Sequence, residues 1–447
     1  MIIWLLERPD KKAQAECLEF LARHTAAVTN GRVAIHWRIL PGHRLWAECV
    51  ELVKRENYPE NNFPSIIEYP LAWQESMEYL NLLARTRDIE WEPARWEKLI
   101  EHVLGSNYSA VSTNPPVKTS GGASGPKNEL ITLPWMVGLT SLFYRKDLLR
   151  LLNKTPEDLE TYSGWMSAVA AAREKNLGLR ALEMPLTGAM AMWWILNFGG
   201  QFLDPLNLMP AFHQAEALRA LEAMLNALVP ETGSWAQSDS APQRLAAERG
   251  FKTVGRFPDQ AFCQISTAFP SALRQNDPRI GCLLPPRITE PVVVAEEFAL
   301  GVTRRPLELG GAEILAVLEA WLGDDEAWSS ASIQLGVLPA RLPLWESFFD
   351  GIADPMIREV YWSATSHQRW IARSPYLAPV MKVFEDSLMR LHMYALHDGV
   401  SDARHIAAVV SRAVAEYRLL ATLYGSGAPS GSAEETPAAG GQEKSSP

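Results

Sequence analysis

The chain has 447 residues, of which 47% are hydrophobic and 21% charged, and its formal net charge is −10. This length exceeds what a single hydrophobic core usually supports, so we expect two lobes. The acidic balance argues against a nucleic-acid or anionic-membrane partner, because either would need a concentrated basic face. The four cysteines form no CxxC pair and the nine histidines no HExxH motif, so we expect no metal and no other cofactor.

The N-terminal part alternates between apolar runs and helical patterns. Ile2–Leu6 is a short apolar run, and Asp10 then caps a helix. Residues 33–39 alternate with period two, and a second helix over 43–54 leads to another strand over 63–69. This β-α-β-α-β order indicates a parallel sheet covered by helices.

The segment Leu133–Leu149, LPWMVGLTSLFYRKDLL, combines several local signals. It begins as an apolar run marked by Pro134, passes Gly138, and becomes apolar again at 142–144 before it turns polar. This pattern predicts a strand that leaves one core, enters a second and then turns into a helix.

Six further segments along the chain carry local signals of the same kind. They are a Gly-, Ser- and Pro-rich loop over 112–128, helices over 159–174 and 190–204, strands within 257–273 and 281–302, and a Pro-marked turn over 335–341. An amphipathic helix over 401–424 precedes a tail, 425–447, whose Gly, Ser, Ala, Glu and Pro content predicts disorder.

In this order, the segments resemble those of the extracellular solute-binding proteins of ABC importers, in the carbohydrate-binding group related to maltose-binding protein. The clearest similarity is to the hinge crossing of that family, where an apolar run precedes "lyYNKDLL". The matching residues are Tyr144, Lys146, Asp147, Leu148 and Leu149, and Arg145 stands where Asn is usual. The resemblance covers residues 1–424.

The resemblance implies an α/β protein with the two-lobe periplasmic-binding-protein-like fold of type II, in which the ligand cleft lies between lobes joined by hinge strands. The implied division is 1–135 and the return segment 263–305 for lobe 1, and 136–262 and most of 306–424 for lobe 2, with helices of 306–424 packing across the hinge.

Tryptophan outnumbers phenylalanine and tyrosine, at 16 residues against 14 and 11. An indole ring can stack on the apolar face of a sugar while its N–H binds a hydroxyl. The excess therefore agrees with a carbohydrate ligand, and the alternative for any single Trp is ordinary burial in a core.

Candidate ligand-binding residues in the first lobe follow its strands. Glu7 and Arg8 come after the first strand and offer acceptors and donors to hydroxyls, with a surface ion pair as the alternative. The resemblance places Tyr69 and Trp73 after the third strand and Trp135 at the crossing beside the cleft.

The opposite wall of the cleft is expected to come from the second lobe. The candidates there are Thr187, Phe269 and one of the neighbours Trp193 and Trp194, because adjacent helix positions cannot both face the ligand. We take Trp193. The acidic pair Glu296 and Glu297 alternates across a strand, and we take Glu297 as the carboxylate that accepts sugar hydroxyls.

The resemblance implies a monomeric substrate-binding component that captures a carbohydrate, as an oligosaccharide, by hinge closure and presents it to ABC permease subunits. A polyol or polyamine ligand stays open. The competing class is a carbohydrate-active enzyme with two carboxylates. We expect no enzyme, because the sequence has no nucleophile elbow, phosphate loop or dinucleotide fingerprint.

The N-terminus bears on localisation. Met1 leads directly into Ile2–Leu6, without a basic region, a long apolar region or a lipid-acceptor cysteine. The resemblance implies a periplasmic or cell-surface protein whose export signal is missing from this sequence. The alternative is a cytoplasmic binding subunit that senses a ligand for a regulator.

Overall fold

The computed structural model describes residues 1–8, 10–54, 63–85, 93–104, 131–175, 177, 179–204, 209–228, 259, 261–270, 273, 276–304, 311–352, 354–369, 374–398 and 403–425. The predicted loop over 112–128 and nearly all of the predicted tail lie outside these residues. None of the described helices is both long enough and apolar enough to cross a membrane.

Eleven strands occur in the described residues: β1 (Ile2–Leu6), β2 (His36–Leu40), β3 (Ile66–Pro70), β4 (Thr132–Leu139), β5 (Ser141–Arg145), β6 (Arg180–Glu183), β7 (Ala261–Ser266), β8 (Ile280–Leu283), β9 (Val293–Val302), β10 (Leu338–Pro339) and β11 (Gln368–Arg369). They form one seven-stranded and one four-stranded sheet.

The described α-helices are α1 (Lys11–Val28), α2 (Gly42–Lys54), α3 (Gln74–Tyr79), α4 (Pro93–Leu104), α5 (Lys146–Leu151), α6 (Tyr162–Glu174), α7 (Gly188–Asn197), α8 (Ala215–Leu228), α9 (Gly311–Leu322), α10 (Asp325–Leu335), α11 (Trp345–Asp350), α12 (Pro355–Ala364), α13 (Leu377–Asp398) and α14 (Ala403–Gly425). Short 3₁₀ turns lie at Leu71–Trp73, Pro156–Leu159, Leu342–Leu344 and Thr365–His367.

The first sheet forms the centre of lobe 1 and has the order β10-β4-β9-β3-β1-β2, with β11 paired to the start of β9. β1 pairs in parallel with β2 and β3, which confirms the predicted β-α-β-α-β unit. β9 runs antiparallel between β3 and β4. The carboxyl ends of β1 and β3 therefore lie at the same edge of the sheet as the beginning of β9.

The second sheet forms the centre of lobe 2 and has the order β6-β7-β5-β8. β5 runs antiparallel to both β7 and β8, and β6 runs parallel to β7. Helices α6, α7 and α8 follow or flank this sheet along the chain. Its buried side includes a cluster of indole rings, in which Trp193 and Trp194 lie 5.2 Å apart and Trp165 packs against both.

The chain crosses between the sheets at Thr140, as the segment 133–149 predicts. β4 ends in the first sheet, β5 begins in the second, and α5 follows at once. The backbone N–H and the hydroxyl of Thr140 both donate to Val294 O, at 3.1 Å each. Gly138 permits close packing here, because a Cβ at this position would lie 2.7 Å from Thr267 O.

The lobe boundaries differ from the expected division at two places. Most of β7 and all of β8 fall in the expected return segment 263–305, yet both strands belong to the second sheet because they pair with β5. Helices α9 and α10 pack against α1 of lobe 1, where Trp321 Nε1 donates to Thr25 Oγ1 at 2.9 Å. The apolar side of α1 therefore binds a part of 306–424 that the resemblance assigned to lobe 2.

Helix α13 connects the two lobes. On the lobe 1 side, the Ser76 hydroxyl donates to Ser374 O and accepts from the Ala378 N–H just inside the helix, at 3.2 Å each. On the lobe 2 side, Glu385 accepts a hydrogen bond from the Gly188 N–H at 2.8 Å. One helix thus contacts both lobes.

Candidate functional site

A buried ion pair lies at the carboxyl ends of β1 and β3. Arg8 and Glu68 are 7% and 2% exposed and bind each other directly. Glu68 also accepts hydrogen bonds from the Leu6 N–H and from Trp135 Nε1, both at 2.8 Å. The guanidinium of Arg8 lies 4.4 Å from the centroid of the Phe298 ring. These contacts hold the Arg8 side chain in one position at the edge of the sheet.

Arg8 keeps hydrogen-bonding capacity after this pairing. Its Nε atom is buried and makes no hydrogen bond with any described residue. An unsatisfied buried donor is costly, so this N–H is suited to a ligand oxygen or to an ordered water. Glu296 and Phe298 are two residues apart on β9, so their side chains lie on the same face of the strand, and Arg8 contacts Phe298 there.

Glu296 extends from β9 towards lobe 2. Its Oε2 accepts a hydrogen bond from the Thr267 hydroxyl at 3.0 Å, and Thr267 directly follows β7. Burial raises the pKa of Glu296, while the hydrogen bond from Thr267 and the charge of Arg8 oppose the shift. Glu296 thus joins a lobe 1 strand to a lobe 2 loop.

Glu385 reaches the same region from α13. It accepts the Gly188 N–H at the first residue of α7, which Thr187 caps through its side chain at 3.3 Å from Met190 N. Burial raises the pKa of Glu385 to about 7, and the negative charge of Glu296 adds to the shift. Helix α7 packs against both α13 and β9, which brings Glu385 and Glu296 to the same part of the molecule.

The five groups Arg8, Glu296, Thr267, Gly188 and Glu385 are called the interlobe cluster below. Glu296 comes from the first sheet, Arg8 follows its strand β1, two members come from lobe 2 and one comes from the connecting helix. The cluster offers donors from Arg8 and acceptors from the two carboxylates, so it can bind hydroxyl groups from both sides.

Two charged pairs lie next to Arg8 and Glu385 along the chain. Glu7 forms an ion pair with Lys11 at 2.6 Å, and Lys382 forms one with Asp386 at 2.6 Å. His43 lies on α2, which packs against α13, and burial lowers the pKa of its imidazole. Such solvent-accessible pairs contribute little to stability.

Three of the sequence-predicted residues lie in or beside the interlobe cluster. Arg8 is a member, Thr187 caps the helix whose N–H binds Glu385, and Glu7 directly precedes Arg8 and pairs with Lys11. Glu297 is 8% exposed and lies next to Glu296 on β9, where it pairs across the ladder with Val137. Alternation along the strand points it away from its neighbour.

The structure places the predicted aromatic residues in the hydrophobic core instead of on a cleft wall. Tyr69 is fully buried and its hydroxyl lies 2.9 Å from Thr132 Oγ1. Trp73 is 6% exposed and meets the Trp46 ring edge-on. Trp193 is fully buried and donates to Val292 O at 3.0 Å.

The same is true of Trp135 and Phe269. Trp135 is 1% exposed, its ring lies 5.9 Å from the Trp321 ring, and its carbonyl accepts from Trp328 Nε1 at 2.7 Å. Phe269 is 5% exposed and stacks on Tyr361 at 4.4 Å. Neither ring presents a free face on which a sugar could stack in this conformation.

Sequence reasoning missed Glu68, Thr267 and Glu385. Glu68 left a signal, since it is a lone carboxylate in the apolar strand Ile66–Pro70. Glu385 left none, because its partner Gly188 is 197 residues away in the chain. The role of Thr267 likewise depends on its contacts with Gly138 and Glu296, which are distant from it in the sequence.

No family model and no curated protein matches this chain. Solved structures do match. An ABC transporter solute-binding protein from Thermotoga lettingae TMO, bound with α-D-tagatose, is 13% identical with a TM-score of 0.65, covering 94% of this chain and 99% of that one. The GacH receptor of Streptomyces glaucescens, solved unliganded and with acarbose, is 14% identical with a TM-score of 0.64, covering 94% and 98%.

A third match is maltose-bound MalE3 of T. maritima, with 14% identity, a TM-score of 0.62 and coverage of 94% and 99%. Each comparison spans nearly the whole of both chains. The chain therefore has the two-lobe fold of the ABC transporter solute-binding proteins, which confirms the predicted fold class.

Proposed function

We propose that this protein is the substrate-binding component of an ABC importer and captures a carbohydrate, as an oligosaccharide, by hinge closure. The observation that carries the proposal is the interlobe cluster, in which polar groups of both lobes meet within this fold. The proteins of similar structure named above are solute-binding proteins whose solved ligands are α-D-tagatose, acarbose and maltose.

Ligand recognition follows from the groups available. The buried donor of Arg8 binds a sugar oxygen, and the carboxylates of Glu296 and Glu385 accept sugar hydroxyls. Hydrogen bonds to charged groups are about twice as strong as neutral ones, so a few such contacts can orient the sugar. Glu68 does not contact the ligand but holds Arg8 in position.

Closure follows from the location of these groups. A ligand that contacts Arg8 in lobe 1 and Thr267 or the start of α7 in lobe 2 binds the closed arrangement better than the open one. The crossing at Thr140 and the start of β9 act as the hinge, because they carry the backbone from one sheet to the other.

The cellular setting belongs to the same proposal. A solute-binding protein of this kind works at the periplasmic side or cell surface with the permease subunits of its importer, as a monomer and without catalysis. The binding proteins of similar structure support this placement.

The test is a thermal-shift panel of mono- and oligosaccharides, polyols, polyamines and amino acids, followed by titration calorimetry. A ligand at about a hundred times its Kd adds roughly 2.7 kcal/mol to the free energy of unfolding. We expect one sugar class to raise the Tm and to be recovered chemically unchanged after incubation. Hydrolysis of that sugar, or stabilisation by amino acids alone, would contradict the proposal.

A further inference from the structure

The end of strand β1 loses its strand neighbour on one side. Its pairing with β2 continues to Leu6, and the following N–H, that of Glu7, donates to Leu40 O at 2.8 Å. Its pairing with β3 stops at Trp4. On the β3 side, the backbone groups of Leu6 and Arg8 therefore need other partners, because buried backbone N–H and C=O groups are almost always hydrogen-bonded.

Two side chains supply these partners. The amide of Gln14 donates to Leu6 O at 2.7 Å and accepts the Arg8 N–H at 2.9 Å. The Leu6 N–H donates to Glu68 Oε2 at 2.8 Å. A side-chain amide offers an N–H donor and a carbonyl acceptor, as a peptide unit does. Gln14 therefore takes the place of a neighbouring strand where β1 ends and Arg8 follows.

The position of Gln14 is itself fixed by the start of α1. Gln14 lies near the N-terminus of this helix and is 3% exposed. Its backbone N–H donates to Asp10 O at 2.9 Å, and the Asp10 side chain caps the helix by accepting the Ala13 N–H at 3.0 Å. The Gln14 amide thus connects the Arg8 backbone to a capped and buried part of α1.

The Arg8 side chain extends from this fixed backbone. Its Nη2 donates to Glu68 Oε1, which also accepts Trp135 Nε1 at 2.8 Å. The guanidinium carbon lies 4.4 Å from the centroid of the Phe298 ring. The buried Nε makes no hydrogen bond with any described residue. The direction of the Nε–H therefore depends on the guanidinium contacts and on the backbone position that Gln14 holds.

We propose that Gln14 is a positioning residue for ligand binding: it holds the Arg8 backbone and thereby directs the Arg8 Nε–H towards the ligand. This inference rests on the proposed carbohydrate-binding function, in which Arg8 donates to a sugar oxygen. Gln14 does not contact the ligand. A hydrogen bond weakens steeply when its donor is misaligned, so a small movement of the Arg8 backbone lowers the affinity.

A pair of variants separates this role from ordinary helix stability. In Gln14→Met, an unbranched side chain remains, but it offers neither a donor to Leu6 O nor a strong acceptor to the Arg8 N–H. Thr25→Val is the matched control, because Thr25 is a fully buried residue of the same helix whose hydroxyl makes two hydrogen bonds. Both variants should lower the Tm. Only Gln14→Met removes a contact with Arg8.

The first measurement needs no ligand. The Nε–Hε resonance of Arg8 in a ¹H–¹⁵N spectrum of the full chain senses the Phe298 ring beneath the guanidinium, and its loss in Arg8→Lys identifies it. We expect Gln14→Met to move this resonance and Thr25→Val to leave it in place. If Gln14→Met does not fold, Gln14→Asn replaces it, because its shorter amide cannot bridge the same two backbone groups. An unmoved resonance, or equal movement in the control, would overturn the inference.

The second measurement is titration calorimetry with maltose, acarbose and D-tagatose, the sugars bound in the similar structures. For a sugar that binds, we expect Gln14→Met to weaken the affinity by about three- to tenfold, the scale of one lost hydrogen bond, and Thr25→Val to keep it within about twofold. Equal affinities in the two variants would overturn the inference. If no sugar of the thermal-shift panel binds, the proposed function fails, whereas the Arg8 resonance still decides whether Gln14 positions Arg8.

Discussion

The indole N–H of Trp135 donates to Glu68 at 2.8 Å, and the same carboxylate binds Arg8. Strand β4, which leads into the hinge, is thereby tied to the end of β1 through a buried charge. The side chain that sequence reasoning selected as a sugar-stacking plate instead supports Arg8, the residue that we propose to bind the ligand. Its role is structural, and its ring belongs to the core shared with Trp321.

The Arg8–Glu68 pair predicts a large effect on stability. Glu68→Gln leaves the Arg8 charge buried without its counter-ion, and we expect the free energy of unfolding to fall by about 3 to 5 kcal/mol. Urea unfolding measures this loss. Glu174→Gln on the exposed side of α6 is the control and should change the value by less than about 0.5 kcal/mol. Equal behaviour of the two variants would show that the pair is not desolvated.

We expect the main effect of Trp135→Ala to be a loss of stability of the folded protein and not a direct loss of ligand affinity. Removing a fully buried indole costs about 3 to 5 kcal/mol in the free energy of unfolding. The change also leaves Glu68 with one donor fewer. A variant of unchanged stability with weakened sugar affinity would contradict this assignment and would return Trp135 to the cleft wall.

The close packing at Gly138 predicts that Gly138→Ala shifts the balance between the open and closed forms. A methyl group at this position would lie 2.7 Å from Thr267 O and 2.8 Å from Thr267 Cβ, so Gly138→Ala pushes the Thr267 loop away from β4. We expect weaker ligand binding, since Thr267 also holds Glu296. Gly351→Ala is the matched control, because a Cβ there meets nothing within 4 Å. Equal affinities in the two variants would show that the lobes do not pack here.

The raised pKa of Glu385 predicts how stability depends on pH. Its ordinary value is 4.5 and its value in the folded protein is about 7, so the folded state holds this proton more tightly than the unfolded chain. The contribution is fully present below pH 4.5 and is lost as the pH rises towards 7. In the ligand-free protein, Glu385→Gln should therefore gain Tm relative to the wild type across this window. Parallel Tm curves between pH 4.5 and 8 would refute the assignment.

The sequence reveals the elements and the hinge better than it reveals the site. Period-two and apolar runs identify β1 to β3, and the change from Leu139 to Ser141 marks the crossing, because these signals are local. The cluster depends on contacts between distant segments, such as Glu385 with Gly188, and no local pattern encodes them. A tryptophan gives the same sequence signal whether it packs in a core or stacks on a sugar. The sequence therefore could not show that Trp193 is buried in the core.

Small-angle X-ray scattering during a titration with the sugar selected by the thermal-shift panel tests the central claim most directly. If the ligand binds between the lobes and closes the hinge at Thr140, the radius of gyration falls as the protein saturates, and it falls less in Gly138→Ala than in Gly351→Ala. A radius that stays constant at saturation would contradict hinge closure as the mode of carbohydrate capture.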